Sequence, residues 1–311
     1  PMCVAPELAK VHAGFAREDL FVAVHEQFMT ETARMADIVL PATMFLEHDD
    51  IYQASAHPRI QIARQLFEPF AECRSNHRVV GEIARRVGAE HPGFAMSEWA
   101  ILDDLLRRSG WPDAQTVWDA GGWEALPDYR TGHHLDGFPT ADGRFRFKPD
   151  WAAFGPDHAR MPSYPDHLPV IEEATPERPF RLVAAPARQF LNTSFTEMES
   201  SRRREGRPTA LIHPATMAQL GLRDGDLVRL GNARGQVQVQ ARARDGQQPT
   251  TIVIESIWPN RHWAAGIGIN ALIGADPAPP DGGAAIHDTA VWLEPADPSG
   301  EVGGTRATVA A

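Results

Sequence analysis

The sequence predicts an α/β segment followed by an all-β domain, and three observations carry this prediction. Residues 20–24 form a short apolar run, and residues 37–41 form another after a short polar stretch, which is typical of strand, helix, strand. Between residues 76 and 120, apolar residues recur at helical spacing. After residue 180, short alternating runs are separated by Asn, Asp and Gly turns, which indicates a compact β-barrel.

The composition indicates a reduced, cytoplasmic protein of about two domains. The 311 residues are 43% hydrophobic and 23% charged, and no apolar run reaches the roughly 18 residues that a membrane span needs. The net charge of -11 disfavours nucleic acid as a partner. Cys3 and Cys73 lie far apart and neither belongs to a Cys-x-x-Cys pair, so these residues alone do not hold an iron–sulfur cluster or a structural zinc. Because the chain opens on Pro1 rather than Met, we expect it to be a piece of a longer polypeptide.

The α/β segment places polar residues where nucleotides bind. We expect residues 20–24 to form a strand buried on both faces, and Thr30 or Thr32 to start a short helix. Residues 37–40 supply the next strand, which Pro41 ends. In doubly wound sheets, ligands bind beyond the carboxyl ends of the strands. His25 and Glu26 directly follow the first strand, and residues 47–50 come soon after the second, so both groups are candidates for a nucleotide site.

Three amphipathic segments follow, at residues 76–87, 97–109 and 113–120, and their apolar stripes predict packing rather than a cofactor site. Residues 125–178 are rich in Pro, Gly and Asp and are predicted to be a linker with one alternating strand at 144–148. The predicted domains are thus residues 1–124, the linker, residues 179–295 and a disordered tail at 296–311.

The barrel elements can be read in order from residue 180. Strands are predicted at residues 180–184, 227–230, 236–243 and 251–254, with a short helix at 213–221 that a glycine ends.

Two stretches carry a resemblance to a known family. Residues 21–41 with Glu47 resemble the last Rossmann-like part of the dimethyl sulfoxide reductase family of molybdenum enzymes. Residues 189–195, 213–214, 220–228 and 270–272 resemble that family's C-terminal molybdopterin dinucleotide-binding domain, a double-psi β-barrel. The resemblance implies a bis-molybdopterin guanine dinucleotide cofactor with molybdenum or tungsten. It leaves the ligand of the metal and any iron–sulfur cluster to a part outside this sequence.

Carried over position by position, the resemblance implies two sets of cofactor contacts. The α/β set is His25, Glu26, His48 and Asn76, and the barrel set is Pro186, Ala187, Arg188, Gln189, Phe190, Asn192, Thr193, Ser194, Trp258, Asn270 and His287. Asn76 stands where the family often has Asp, and an amide can accept only part of the donor pattern of guanine.

The expected chemistry assigns roles to some of these residues and leaves alternatives open for others. Phe190 and Trp258 would stack on flat heterocycles, and Arg188 or the arginines within 202–207 would neutralise phosphates. Asn192 and Asn270 could instead satisfy backbone groups in loops, and Trp258 could belong to the core. Glu26 could be an exposed strand-end carboxylate, and residues 47–50 could be a metal patch, although nothing in the sequence directs these side chains to one point.

The resemblance implies the C-terminal cofactor-binding part of an oxidoreductase that moves two electrons with an oxygen atom or a hydride. Its expected partners are a small-molecule substrate and the remainder of the parent polypeptide or a separate catalytic subunit. The alternative is a noncatalytic molybdopterin-binding or scaffold subunit of a larger redox complex. The sequence identifies no catalytic residue and no metal ligand, and we expect the chain alone to be inactive.

Overall fold

The chain forms two units, one around a closed barrel and one around short sheets and helices. The computed structural model describes residues 1–55, 57–154, 158–169, 172–279, 282–287 and 289–296. One unit comprises residues 1–20 together with the chain from residue 147, and the other comprises residues 21–146. The predicted tail lies outside the described residues from residue 297 onward.

The helices are α1 (Leu8–Phe15), α2 (Glu31–Arg34), α3 (Asn76–Arg86), α4 (Glu98–Arg108), α5 (Ala114–Asp119), α6 (Tyr129–Gly132), α7 (Glu199–Glu205) and α8 (Pro214–Gln219). The strands are β1 (Ala23–Glu26), β2 (Ile38–Pro41), β3 (Asp50–Gln53), β4 (Arg59–Ala63), β5 (Trp123–Glu124), β6 (Phe180–Pro186), β7 (Thr209–Ile212), β8 (Leu227–Asn232), β9 (Gly235–Ala243), β10 (Thr251–Ser256), β11 (Pro277–Ala278), β12 (Gly283–Ala284) and β13 (Thr289–Pro295). Within the described ranges, no helix is long and apolar enough to cross a membrane.

The barrel closes in the order β10, β6, β13, β8, β9, β7. The pairs β10–β6 and β7–β9 are parallel, and the other neighbours are antiparallel. On β9 alternate residues are buried, as Val237, Val239 and Ala241 show. This confirms the predicted barrel, and its strand order is consistent with a double-psi barrel.

Residues 1–20 pack on the barrel unit. Leu8 is fully buried in the same apolar cluster as the barrel strands. The backbone N–H of Glu7 donates to the carbonyl of Ile273 at 2.8 Å, and the buried side chain of Asn260 donates to the carbonyl of Met2. The structure therefore groups this segment with the barrel. The sequence analysis placed it with the α/β segment, because residues 1–20 are far along the chain from the barrel residues that they contact.

The unit of residues 21–146 contains a two-stranded parallel sheet, β1–β2, and an antiparallel sheet in the order β3–β4–β5. Its apolar core lies where α4 and α5 meet β4, around Ile62, Leu106 and Val117. Ser75, Ser97 and Asp113 cap the three predicted helices with their side-chain oxygens.

Two strand predictions need correction. β1 begins at Ala23 rather than residue 20, and it is not buried on both faces: Ala23 is exposed and Val24, His25 and Glu26 are half-buried, since the described residues supply β1 with only β2 as a neighbour. The strand predicted at residues 144–148 is wrong. The structure assigns no strand to these residues, and Arg146 forms an ion pair with Asp142 at 3.0 Å. The Rossmann-like assignment of this unit stays a prediction.

Candidate functional site

All four predicted site residues of the unit 21–146 line one pocket of about 360 Å³. His25 and Glu26 end β1, His48 lies two residues before β3, and Asn76 begins α3. The remaining lining residues are Gln27, Ala42, Thr43, Phe45, Asp50 and Tyr52. Three chain segments that are separate in sequence thus meet at the carboxyl end of β1, where the strand-end rule placed a site.

Hydrogen bonds fix the walls of this pocket. A ring nitrogen of His25, Nε2, lies 3.0 Å from the carbonyl oxygen of Arg74, and the amide of Gln27 donates to the carbonyl of Thr43 at 2.8 Å. The Thr43 hydroxyl lies 2.8 Å from Nδ1 of His48. The β1 end, the loop after β2 and the start of α3 are therefore linked to one another by polar contacts.

The pocket is rich in hydrogen-bond acceptors. Glu26 Oε1 accepts the backbone N–H of Gln27 at 2.8 Å, and Asp50 Oδ2 lies 3.8 Å from Nε2 of His48. Burial, the negative charge of Asp50 and a hydrogen bond to that carboxylate raise the pKa of Tyr52 above its usual value. Carboxylates accept hydrogen bonds only, so these groups suit a ligand that presents N–H or O–H donors.

The acidic run at residues 47–50 does not converge on a point. The carboxylate of Glu47 accepts backbone N–H groups of Met44 at 2.7 Å and Phe70 at 2.9 Å. Asp49 accepts the N–H of Gln65 at 2.9 Å. Within the described part of the chain, no group of three or more His, Cys, Asp or Glu side chains could hold a metal ion.

On the barrel unit, the predicted contact segment 186–194 follows β6 and lies against α7. The backbone N–H of Gln189 donates to the Glu205 carboxylate, and Arg204 donates to the Gln189 side-chain oxygen at 3.5 Å. Arg202 donates to the carbonyl of Thr196 at 2.8 Å. Arg188 is exposed. The structure therefore brings the predicted phosphate-binding arginines next to the predicted pterin-binding segment.

The loop after this segment holds two unusual backbone conformations. Asn192 and Phe195 have φ values of 51° and 69°, in the left-handed region that non-glycine residues rarely adopt. Both residues are exposed, and the Asn192 side chain makes no hydrogen bond to the described residues. Around them, Leu191 and Ser194 pair through their backbones, and Thr193 accepts hydrogen bonds from Thr196. Strain of this kind is typical of ligand-binding loops.

Three of the predicted barrel contacts are buried in the apolar core. Phe190 and Trp258 are 5% and 3% exposed, and their rings meet edge to face with centroids 4.9 Å apart. Ala187 belongs to the same cluster. Both rings are buried in the core, so they do not present a face on which a cofactor could stack in this structure. The alternative considered for Trp258, that it belongs to the core, matches its position.

The remaining barrel candidates lie outside the core. Asn270 donates to the carbonyl of Val4 at 2.7 Å, which is the backbone-satisfying alternative considered for it. Pro186 ends β6 and is exposed, and His287 is exposed just before β13. The membership of these residues in a cofactor site stays a prediction.

Two family models match the chain over most of its described length. The model described as "Molybdopterin oxidoreductase" matches residues 1–86, and the one described as "Molydopterin dinucleotide binding domain" matches residues 180–290. The chain belongs to the dimethyl sulfoxide reductase family of molybdopterin oxidoreductases. The family prediction is confirmed, and the barrel of this family member corresponds to its molybdopterin dinucleotide-binding domain.

Relatives of this molybdopterin oxidoreductase chain are longer than the chain itself. The probable oxidoreductase YoaE of Bacillus subtilis is 30% identical over 302 residues, covering 94% of this chain and 43% of that protein. The trimethylamine-N-oxide reductase of Haemophilus influenzae is 27% identical over 273 residues, covering 78% of this chain and 33% of that protein. The acetylene hydratase structure from Pelobacter acetylenicus shares the fold, with a TM-score of 0.73 and 21% identity over 95% of this chain and 43% of that one.

The family resemblance did not assign four polar residues that line the pocket of this family member: Gln27, Thr43, Asp50 and Tyr52. Residues 47–50 were a candidate for the nucleotide site because they follow a strand, and His48 and Asp50 of that group line the pocket. The available signal was alternation, since His48, Asp50 and Tyr52 lie two residues apart and would share one face of a strand.

Proposed function

We propose that this chain binds the nucleotide and pterin parts of a bis-molybdopterin guanine dinucleotide cofactor in a molybdenum-dependent oxidoreductase. The observation that carries the proposal is the pocket where His25, Glu26, His48 and Asn76 meet. Those residues come from three chain segments, and the family resemblance names each of them independently of the structure.

The pocket fits a nucleoside in size and chemistry. Its volume of about 360 Å³ lies within the ~300–1,000 Å³ range of small-molecule sites. Glu26 keeps one carboxylate oxygen that makes no hydrogen bond to the described residues, which suits ribose hydroxyls. The N-terminal end of α3 contributes Asn76 and a partial positive charge, which offsets the charge of a nearby phosphate.

Residues 186–194 of the barrel unit offer groups that suit a pterin of the cofactor. Arg188 lies within residues 186–194, and Arg204 contacts Gln189 of the same stretch. The two side chains supply positive charge there in a chain of net charge -11. The exposed amide of Asn192 offers both a donor and an acceptor to the edge of a pterin. The bound cofactor supplies the two-electron redox chemistry, with transfer of an oxygen atom or a hydride.

We propose further that a small-molecule substrate and either the remainder of a longer polypeptide or a separate catalytic chain complete the enzyme. The chain spans 43% and 33% of the two relatives named above, which supports this part of the proposal. Any iron–sulfur cluster would belong to that remainder.

The test is cofactor analysis of the protein purified from its native host. Molybdenum and the guanosine 5′-monophosphate released by acid hydrolysis are measured per polypeptide, together with reduced-viologen oxidation. We expect both components to be present, and Glu26→Gln to lower their content while Glu68→Gln, at an exposed site outside the pocket, leaves it unchanged. Cofactor without turnover would favour a noncatalytic binding subunit, and a protein free of molybdenum and guanine would favour a scaffold.

A further inference from the structure

The pocket contains a carboxylate that the family resemblance does not assign, and its supports suggest a specific role. We propose that Asp50, which lies beside His48 in the pocket and on the same face of β3 as Tyr52, reads the N–H edge of the purine base in place of Asn76. This inference rests on the proposed function, because it names the residue that selects the base of the bound dinucleotide.

Asp50 is held from several sides. It begins β3, so that its side chain and that of Tyr52 point to the same face, toward the pocket. Asp50 Oδ1 accepts the backbone N–H of Ile51 at 2.8 Å, and Tyr52 lines the pocket on the same face of β3. On the other side, His48 is fixed by Thr43 at 2.8 Å and lies 3.8 Å from Asp50 Oδ2. A carboxylate anchored in this way is preorganised for a ligand.

The donor pattern of guanine matches a carboxylate better than an amide. Guanine presents N1–H and the N2 amino group side by side, and two carboxylate oxygens can accept both in parallel. The amide of Asn76 has one acceptor and one donor group, so its own N–H would face one of the two N–H groups of guanine. Adenine presents one donor beside an acceptor nitrogen, which would leave an oxygen of Asp50 facing a lone pair. Asp50 therefore favours guanine, and hypoxanthine, which lacks the N2 amino group, should bind more weakly.

Of the other groups in the pocket, Glu26 is less suited to this role. Its Oε1 accepts the N–H of the next residue, Gln27, just as Asp50 Oδ1 accepts that of Ile51, but no side chain of the described residues forms a hydrogen bond or ion pair with its other oxygen. Asn76 is exposed at the first position of α3. Asp50 is thus the carboxylate of the pocket that has a histidine side chain within ion-pair distance.

The experiment measures binding of GMP, IMP and AMP to the purified 311-residue chain by isothermal titration calorimetry. The test variants are Asp50→Asn, which keeps an oxygen for the N–H of Ile51, and Tyr52→Phe, which removes only the hydroxyl on the same face of β3. The control is Asp49→Asn, which changes the same charge one residue away, at a side chain that faces Arg64 and does not line the pocket. Melting temperatures establish that each variant is folded.

The wild-type chain should bind GMP at least about fivefold more tightly than IMP or AMP, as expected for one bidentate base contact. Asp50→Asn should abolish this preference, Tyr52→Phe should reduce it, and Asp49→Asn should retain it. If Asp50→Asn does not fold, the result with Tyr52→Phe decides. A preference that survives Asp50→Asn or Tyr52→Phe but disappears in Asn76→Ala would overturn the assignment of Asp50 and leave the proposed function standing. Absence of GMP binding by the folded wild-type chain at millimolar nucleotide would overturn both.

Discussion

Replacing Asn260 by Ala should detach the N-terminal segment from the barrel and destabilise the whole unit. Asn260 is 3% exposed, its amide nitrogen donates to the carbonyl of Met2, and its oxygen accepts the N–H of Gly268 at 2.8 Å. The substitution leaves the buried N–H of Gly268 without its partner, which costs about 1–3 kcal/mol. It also removes one hydrogen bond to the Met2 carbonyl, which still lies 3.2 Å from Nε2 of His12, at a cost of about 0.5–1.5 kcal/mol. We therefore expect a loss of about 1.5–4.5 kcal/mol, a large fraction of the ~5–15 kcal/mol stability of an ordinary domain.

The assay is urea unfolding followed by the fluorescence of the buried residues Trp258 and Trp263, together with limited proteolysis of residues 1–15. The matched control is Asn270→Ala, which removes one hydrogen bond to Val4 from a partly exposed side chain. The control should cost about 0.5–1.5 kcal/mol. A loss below about 1 kcal/mol for Asn260→Ala, or an N-terminal segment as resistant to protease as in the wild type, would show that this contact does not anchor the segment.

Three further perturbations test the packing and the charges. Gly231→Ala would place a methyl group within the contact radius of the Trp292 ring. We therefore expect thermal unfolding to show a loss of stability of about 1–3 kcal/mol. An unchanged melting temperature would contradict the close packing of Gly231 against this ring. Leu8→Ala should cost about 2–5 kcal/mol in urea unfolding, because Leu8 is fully buried; a cost below about 1 kcal/mol would mean that the segment packs only loosely. The hydrogen bond from Arg107, with one from the backbone of Ala114, holds the pKa of Asp103 below its ordinary value of 3.8. The contribution of the Asp103 carboxylate to the free energy of unfolding is therefore present above pH 3.8 and is lost as pH falls through the lower folded pKa. The stability difference between wild type and Asp103→Asn should accordingly disappear in acid. A difference that persists below the folded pKa would refute the charge-based explanation.

The sequence predicts the elements whose signals are local. The helix at Asn76–Arg86 has a serine cap at Ser75 and a glycine at its end, and both signals lie within one or two residues of its boundaries. The barrel strands alternate and are separated by Asp-Gly and Asn turns, which the structure confirms. The prediction of a strand at residues 144–148 was wrong. Alternation of apolar and polar residues indicates only a tendency to form a strand, and a stable strand also needs a neighbour to pair with.

Contacts between remote residues could not be predicted in this way. Nothing near residue 8 in the sequence indicates that Leu8 packs among barrel strands that begin at Phe180. In the pocket, the strand-end rule found His25, Glu26 and the group 47–50 that includes Asp50, whereas Tyr52 became a candidate only when β3 was seen beside them.

The position of β13 has a consequence for how this protein is made. β13 is the last strand of the barrel and lies between β6 and β8, so the barrel cannot close until residues 289–295 have left the ribosome. The contact between Asn260 and Met2 joins residues 258 positions apart, and contacts of such long range slow folding. Until the barrel forms, Met2 and Leu8 lack the surface that buries them and are exposed to chaperones and proteases. Residues 1–20, which are synthesised before the barrel, thus reach their native place only after the barrel has formed.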